Sequence, residues 1–190
     1  MASKGKKQGG TKNQNKKKPS GKQSVAVGIA PNHDKALRKQ LKEILTWHGA
    51  HVDWKSALAD LPADKRGVRP AGLPHSAWEL LEHARITQHD ILDFCTNPKY
   101  KSLEWPAGYW PKTPAPPNDS AWENAIRSFE EETRTMSELI EDPGTDLFAK
   151  IPHGSGQAIL REAVLLADHS SYHVGQLVLV RRLLGAWKET

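Results

Sequence analysis

The chain has one cysteine, Cys95, in 190 residues. A lone thiol cannot build an internal disulfide framework, so the fold must rest on an apolar core, and the compartment expected is reducing and cytoplasmic. Long apolar runs are missing too: nothing approaches the roughly 20 residues of a membrane-spanning helix, so no membrane partner is expected. The apolar run at 25–30 follows a lysine-rich stretch but is six residues long, short of the roughly 7–15 that a secretory signal needs. No alternating strand pattern and no solenoid-type repeat is visible. Acids are absent from the first 24 residues, which carry eight lysines. Residues 1–24 also lack the apolar side chains that offset ordering entropy, which predicts a disordered basic tail. Nucleic acid could meet it only nonspecifically, because no aromatic is interleaved to stack on bases, and a solubilising extension is the favoured reading.

With the tail set aside, the balance of charge reverses. Residues 25–190 hold 19 basic and 22 acidic side chains, enough chain for one domain with one substantial core. Four helical patterns follow. The first covers about 34–59, with Leu37, Leu41, Ile44, Leu45, His48 and Val52 on one stripe. Ser76-Ala77-Trp78-Glu79 reads as a capping box opening a second helix to about residue 95, whose buried stripe is Ala77, Leu80, Leu81, Ala84, Ile91 and Leu92. Residues 98–118 contain six prolines with Tyr100, Trp105, Tyr109 and Trp110, which excludes a regular element and predicts a long loop packed across the others. Ser120-Ala121-Trp122-Glu123 repeats the capping box and starts a third helix to about residue 140, and the last runs over about 157–184. These four helices and one long crossover describe an all-α four-helix bundle.

The last helix carries the most informative residues. His169 and His173 lie four apart, one turn along the same face, on a seam with Leu166, Gln176, Val180 and Leu183. Buried imidazoles need partners for their ring nitrogens, and a divalent metal satisfies a converging pair. A hydrogen-bonded pair of core histidines is the competing reading, since the HExxH glutamate of a zincin is replaced by Ser170. A third ligand should come from another helix. His83, on a row with Leu80, Thr87 and Asp90, is the best candidate, with His48 and His51 in reserve. His33, His75, His89 and His153 read as solvated. Asp168, Tyr172, Gln176 and Glu79 are candidates to hold the ligands' outer nitrogens, although Glu79 is claimed by its capping box. Gly175, inside a helix, suggests a close helix approach, and Cys95 reads as buried filler. An all-imidazole site would leave coordination positions open and would let an ion lower the pKa of water or hold a small thiol as thiolate.

The segments Trp78-Glu79-Leu80-Leu81-Glu82-His83-Ala84, Trp105-Pro106-Ala107-Gly108-Tyr109-Trp110-Pro111 and Asp168-His169-Ser170-Ser171-Tyr172-His173-Val174-Gly175-Gln176, with Arg181-Arg182-Leu183-Leu184-Gly185-Ala186-Trp187 after them, resemble the DinB-like superfamily over about residues 33–188. The resemblance implies an up-down-down-up four-helix bundle with a three-histidine divalent-metal site, the ligands falling on His83, His169 and His173. Many members carry an acid where this chain has Ser170, with Asp168 just before it. Relatives include thiol-dependent S-transferases, isomerases and proteins called metal-dependent hydrolases. The reading is therefore a metal-binding small-molecule enzyme, a hydrolase or a low-molecular-weight-thiol S-transferase. Its cofactor would be Zn, Ni or Fe, its partners a small-molecule substrate and, as a candidate assembly, a homodimer. The alternative is a non-enzymatic binding or scaffolding module with a vestigial metal site and a polyanion-binding tail.

Deleting residues 1–24 is expected to leave the thermal midpoint unchanged, because the segment offers no apolar burial. A clear fall in the midpoint would show that the tail docks.

Overall fold

The computed structural model describes residues 31–46 and 50–188. The basic tail and the reserve ligand His48 lie outside the described residues. The described residues form five α-helices: α1 (Pro31–Leu45), α2 (Trp54–Leu58), α3 (Ala77–Thr96), α4 (Asp119–Glu141) and α5 (Ile159–Leu183). None of them is long and apolar enough to cross a membrane.

The helix ends show which local signals dominate. The single helix expected over 34–59 is two, because the Asp53 carboxylate accepts from the Ser56 amide at 2.7 Å and starts α2 afresh. The continuous stripe expected there fails with it: Ile44 is 43% exposed. At α3 the capping box forms as expected, Ser76 Oγ accepting from the Glu79 amide at 3.2 Å while Glu79 Oε2 accepts from the Ser76 amide at 2.9 Å. The box expected at Ser120 does not form. Asn118, directly after Pro116-Pro117, accepts from the Ala121 amide at 2.8 Å and opens α4 two residues earlier. Gln157 does not start α5, because its carbonyl takes the Ile151 amide at 2.8 Å and closes the preceding turn. At the far end Gly185 (φ +62°) lets the Ala186 amide reach the Arg181 carbonyl at 2.8 Å and the Gly185 amide reach Arg182 at 3.0 Å, a Schellman stop.

Contacts fix the directions. Arg38 on α1 donates to the carbonyls of Ile140 (2.7 Å) and Thr145 (2.8 Å), beside the C-terminus of α4, while Ile44 and Leu45 further along α1 line a groove with Arg134 and Ser137 earlier on α4, so α1 and α4 run antiparallel. Trp78 meets Trp122 near the starts of α3 and α4, and Gln88 Nε2 donates to the Phe129 carbonyl at 2.6 Å, so α3 and α4 run parallel. α5 runs back against α3. The order is up-down-down-up, and the parallel pair obliges residues 97–118 to return along the bundle. This strap packs closely: a Cβ on Gly67 would sit 2.3 Å from that of Ala115.

The core has two apolar clusters. One gathers Leu80, Leu81, Trp122, Val174 and Leu177, and the other Leu41, Ile91, Met136, Ile140 and Leu166. Between them lies a polar level containing Gln88, His83 and His173, all buried. Two expectations for α5 are corrected. Leu183 is 55% exposed, because at 100° per residue the seam drifts and Arg181 takes its inward place. Gly175 is exposed, and a Cβ there would meet nothing within 4 Å. No helix among the described residues approaches it.

The two glycines should therefore respond oppositely to alanine. Gly175→Ala is expected to stabilise by about 0.5–1 kcal/mol through helix propensity alone, whereas Gly67→Ala should destabilise by forcing the strap off Ala115. Urea denaturation of both variants checks the pair of signs.

Candidate metal centre

α3 and α5 bring His83, His169 and His173 together at the polar level between the two apolar clusters. One nitrogen from each lies within 4.8 Å of the others. The Nε2 atoms of His169 and His83 are 3.1 Å apart, and His173 stands edge-on to both rings, with centroids 4.6 Å from His83 and 4.4 Å from His169. Of the other histidines, His51 is exposed with Nδ1 on its neighbour's carbonyl, and His33, His89 and His153 are exposed as expected. His75 is not simply solvated. It is half-buried and stacks on one face of Trp110 at 4.0 Å, whose other face covers His83.

The three outer nitrogens have three different surroundings. His83 Nδ1 lies 2.8 Å from the Tyr109 carbonyl in the strap, and the Trp110 ring lies flat on the His83 ring, 3.9 Å away and within 2° of parallel. His173 Nδ1 lies 2.7 Å from Gln176 Oε1, one turn further along α5. Both partners are acceptors, so each ring carries its proton on Nδ1 and turns an Nε2 lone pair inward. His169 Nδ1 is buried and has no partner among the described residues.

Asp168 does not supply one. It is exposed and lines an outer groove with Phe148, Leu160 and Val164, since the residue just before an inward histidine points about 100° away from it. Tyr172 is 64% exposed and touches His173 only edge-on, with ring centroids 5.0 Å apart. Glu79 is spent on Ser76 and on a two-pronged ion pair with Arg69. Of the residues expected around the ligands, the structure places only Gln176 on one. The strap's contribution was not foreseen, because Tyr109 acts through a backbone carbonyl that any residue would offer. Its one legible signal was the aromatic and proline-rich run 105–111.

Electrostatically the three rings are neutral bases. Burial, reinforced by His173 and His83, pushes His169 down to about 3. Burial and His83 push His173 down to about 4 against the opposing Gln176 bond, and burial lowers His83 against the Tyr109 bond. Lone pairs are thus available at neutral pH. Two nitrogens each about 2.1 Å from one ion stand roughly 3.0–3.4 Å apart, which brackets the 3.1 Å between His83 and His169. Without an ion, His169 must turn an Nε2–H toward His83 and leave a bare Nδ1 lone pair in the core. The donor set and the spacing fit a divalent metal.

The sequence pattern of the DinB superfamily matches residues 46–177, from the approach to α2 through most of α5, with all three histidines inside. No curated protein and no solved structure matches the chain. The all-helical fold with its clustered histidines agrees with a match over more than half of the sequence, and the chain belongs to the DinB superfamily.

Proposed function

We propose that the protein is a divalent-metal-dependent enzyme acting on a small molecule, with His83, His169 and His173 as the ligands. The observation that carries this reading is the convergence of three neutral imidazoles with no carboxylate or thiolate among them. Such a set leaves one to three coordination positions open, as catalytic rather than structural sites do. Zn, Ni and Fe suit imidazole ligation. When bound, such an ion supplies Lewis-acid chemistry and favours the ionised form of water or of a small thiol.

The chain's own residues orient the site, and neither the serines beside the α5 histidines nor the one cysteine is placed to act on it as a nucleophile. Gln176 fixes His173, and the Tyr109 carbonyl with the Trp110 face fixes His83. Ser170 and Ser171 face the opposite side of α5, lining a groove against α4. Cys95 packs on the second apolar cluster, and burial with the Glu162 charge pushes its thiol up to about 12. The attacking group must then come from the small molecules, either water, which gives a hydrolase, or a low-molecular-weight thiol, which gives an S-transferase. A cytoplasmic setting, where such thiols are plentiful and reduced, is part of the proposal.

Protein purified without an affinity metal is expected to carry about one divalent ion per chain by elemental analysis, and His169→Ala with His173→Ala should abolish it. Wild-type metal content in that double variant would move the site elsewhere. The pH dependence has a definite sign. In the metal-free fold His169 and His173 titrate near 3 and 4, below the 6.5 of an unfolded chain, so the unfolded state binds more protons between those values. Stability of the metal-free protein should be flat above about pH 6.5 and fall as pH drops below it. A thermal-midpoint series from pH 8 to 4 reads this, and a midpoint that rises on acidification would refute neutral burial of the rings.

Activity should require metal and be nearly unchanged in Cys95→Ala. Product formed with and without added thiol separates the two reactions, an adduct marking the transferase. No turnover across both screens in fully metallated protein would leave a binding module.

A further inference from the structure

His83 differs from the other two histidines in being held from outside its own helix bundle. Gln176 reaches His173 from one turn along the same helix. α3 has no equivalent side chain on His83, because Ile86 stands where Gln176 stands to His173 and an aliphatic side chain cannot accept, and the carbonyls along the helix interior are taken by its own amides. The acceptor comes instead from the strap, whose Tyr109 carbonyl meets Nδ1 at 2.8 Å while Trp110 covers the ring. A 22-residue connection with six prolines has no ladder of its own to place one carbonyl within hydrogen-bond tolerance. Something on the bundle must locate it.

That something is Asp90. It stands seven residues beyond His83 on α3, two turns along the same face. Both of its oxygens face the strap: Oδ2 accepts from the Tyr109 hydroxyl at 2.8 Å and Oδ1 from the Tyr100 hydroxyl at 2.9 Å. Tyr109 is thereby pinned at both ends, its hydroxyl on Asp90 and its carbonyl on His83, across two turns of one helix. Burial, with the Asp90 bond adding to it, raises the Tyr109 phenol to about 12 and pushes Tyr100 up as well, so both remain donors at any working pH. Bonds from phenols to a carboxylate are charge-assisted, and two of them at the strap's two tyrosines oppose both sliding and lifting.

We infer that Asp90 is a positioning residue for the metal centre: through the Tyr109 hydroxyl it sets the strap so that the Tyr109 carbonyl and the Trp110 ring hold His83 in its ligating tautomer and plane. The inference rests on the metal reading above and adds a residue that touches neither ion nor ligand. Partners that orient a metal-binding histidine change affinity by about 10–100-fold when removed, and Asp90 acts one step further out on the same bond.

The test uses the full chain and zinc as the probe. Zinc affinity is measured by competition with a chromophoric chelator, and the ring-nitrogen NMR spectrum of His83 is recorded in metal-free protein. Tyr109→Phe and Asp90→Ala are expected to weaken zinc binding about 10–100-fold and to convert His83 from the Nδ1–H tautomer to a mixture. Asp90→Asn, whose amide oxygen still accepts from one phenol, should recover part of both. Tyr109→Phe removes a single oxygen and carries the test if Asp90→Ala does not fold. Unchanged affinity in Tyr109→Phe overturns the inference, and so does weakened binding with the His83 tautomer unmoved, which would be general loosening. If the wild type binds no zinc, the metal reading fails, while the His83 tautomer in the metal-free variants still decides whether Asp90 positions the ring.

Discussion

Three imidazoles side by side in a bundle interior, two buried and His169 half-buried, withdraw their ring nitrogens from water to different degrees, and each nitrogen so withdrawn must find a partner or cost a desolvation penalty. Two find oxygens, on Gln176 and on the Tyr109 carbonyl, and the three Nε2 atoms face one another. That leaves His169 Nδ1 as the buried group without a partner. Much of the local architecture can be read as the consequence of this demand. It accounts for the polar level that splits the core into two clusters, for the glutamine one turn beyond His173, and for the close fit of an irregular segment against α3.

The second constraint is topological. Two consecutive parallel helices cannot be joined by a tight turn, so the segment between α3 and α4 has to travel the length of the bundle. Proline suits such a path because it needs no ladder and limits the freedom of the unfolded chain. The sequence supplies fixing points at intervals: Tyr100 and Tyr109 on Asp90, the Pro114 carbonyl on Ser76 Oγ, and Ala115 against Gly67. The connection that topology demands is thus also the wall of the site.

Legibility in the sequence followed the range of the interactions. The Ser76 box, the stripe of α3 and the end of the last helix near residue 184 depend on residues within one or two turns, and they were readable. The shared face of His169 and His173 follows from helical spacing alone, whereas His83 was only the best of several candidates by spacing and was singled out by the family resemblance; the structure brings all three together. The break before α2 and the early start of α4 were missed where a neighbouring Asp53 or Asn118 offered a better cap than the pattern assumed. The ligands' surroundings were hardest. Asp168 and Tyr172 are near the histidines in sequence but lie on other sides of the helix, whereas Tyr109 and Trp110 are distant in sequence and adjacent in space. Proximity along the chain is a poor guide to partnership when the partner is a backbone carbonyl on another segment.

The flat stack of Trp110 on His83 has an implication for how such a protein could diversify. In many enzymes the loops that choose a substrate are separate from the scaffold that holds the reactive centre, and the two can vary independently. Here the strap that covers His83 with Trp110 also braces that histidine through the Tyr109 carbonyl. If the proposed ion and substrate occupy this site, a change in the strap that admits a larger or differently shaped molecule also alters the support of His83, so new specificity and metal retention would have to evolve together.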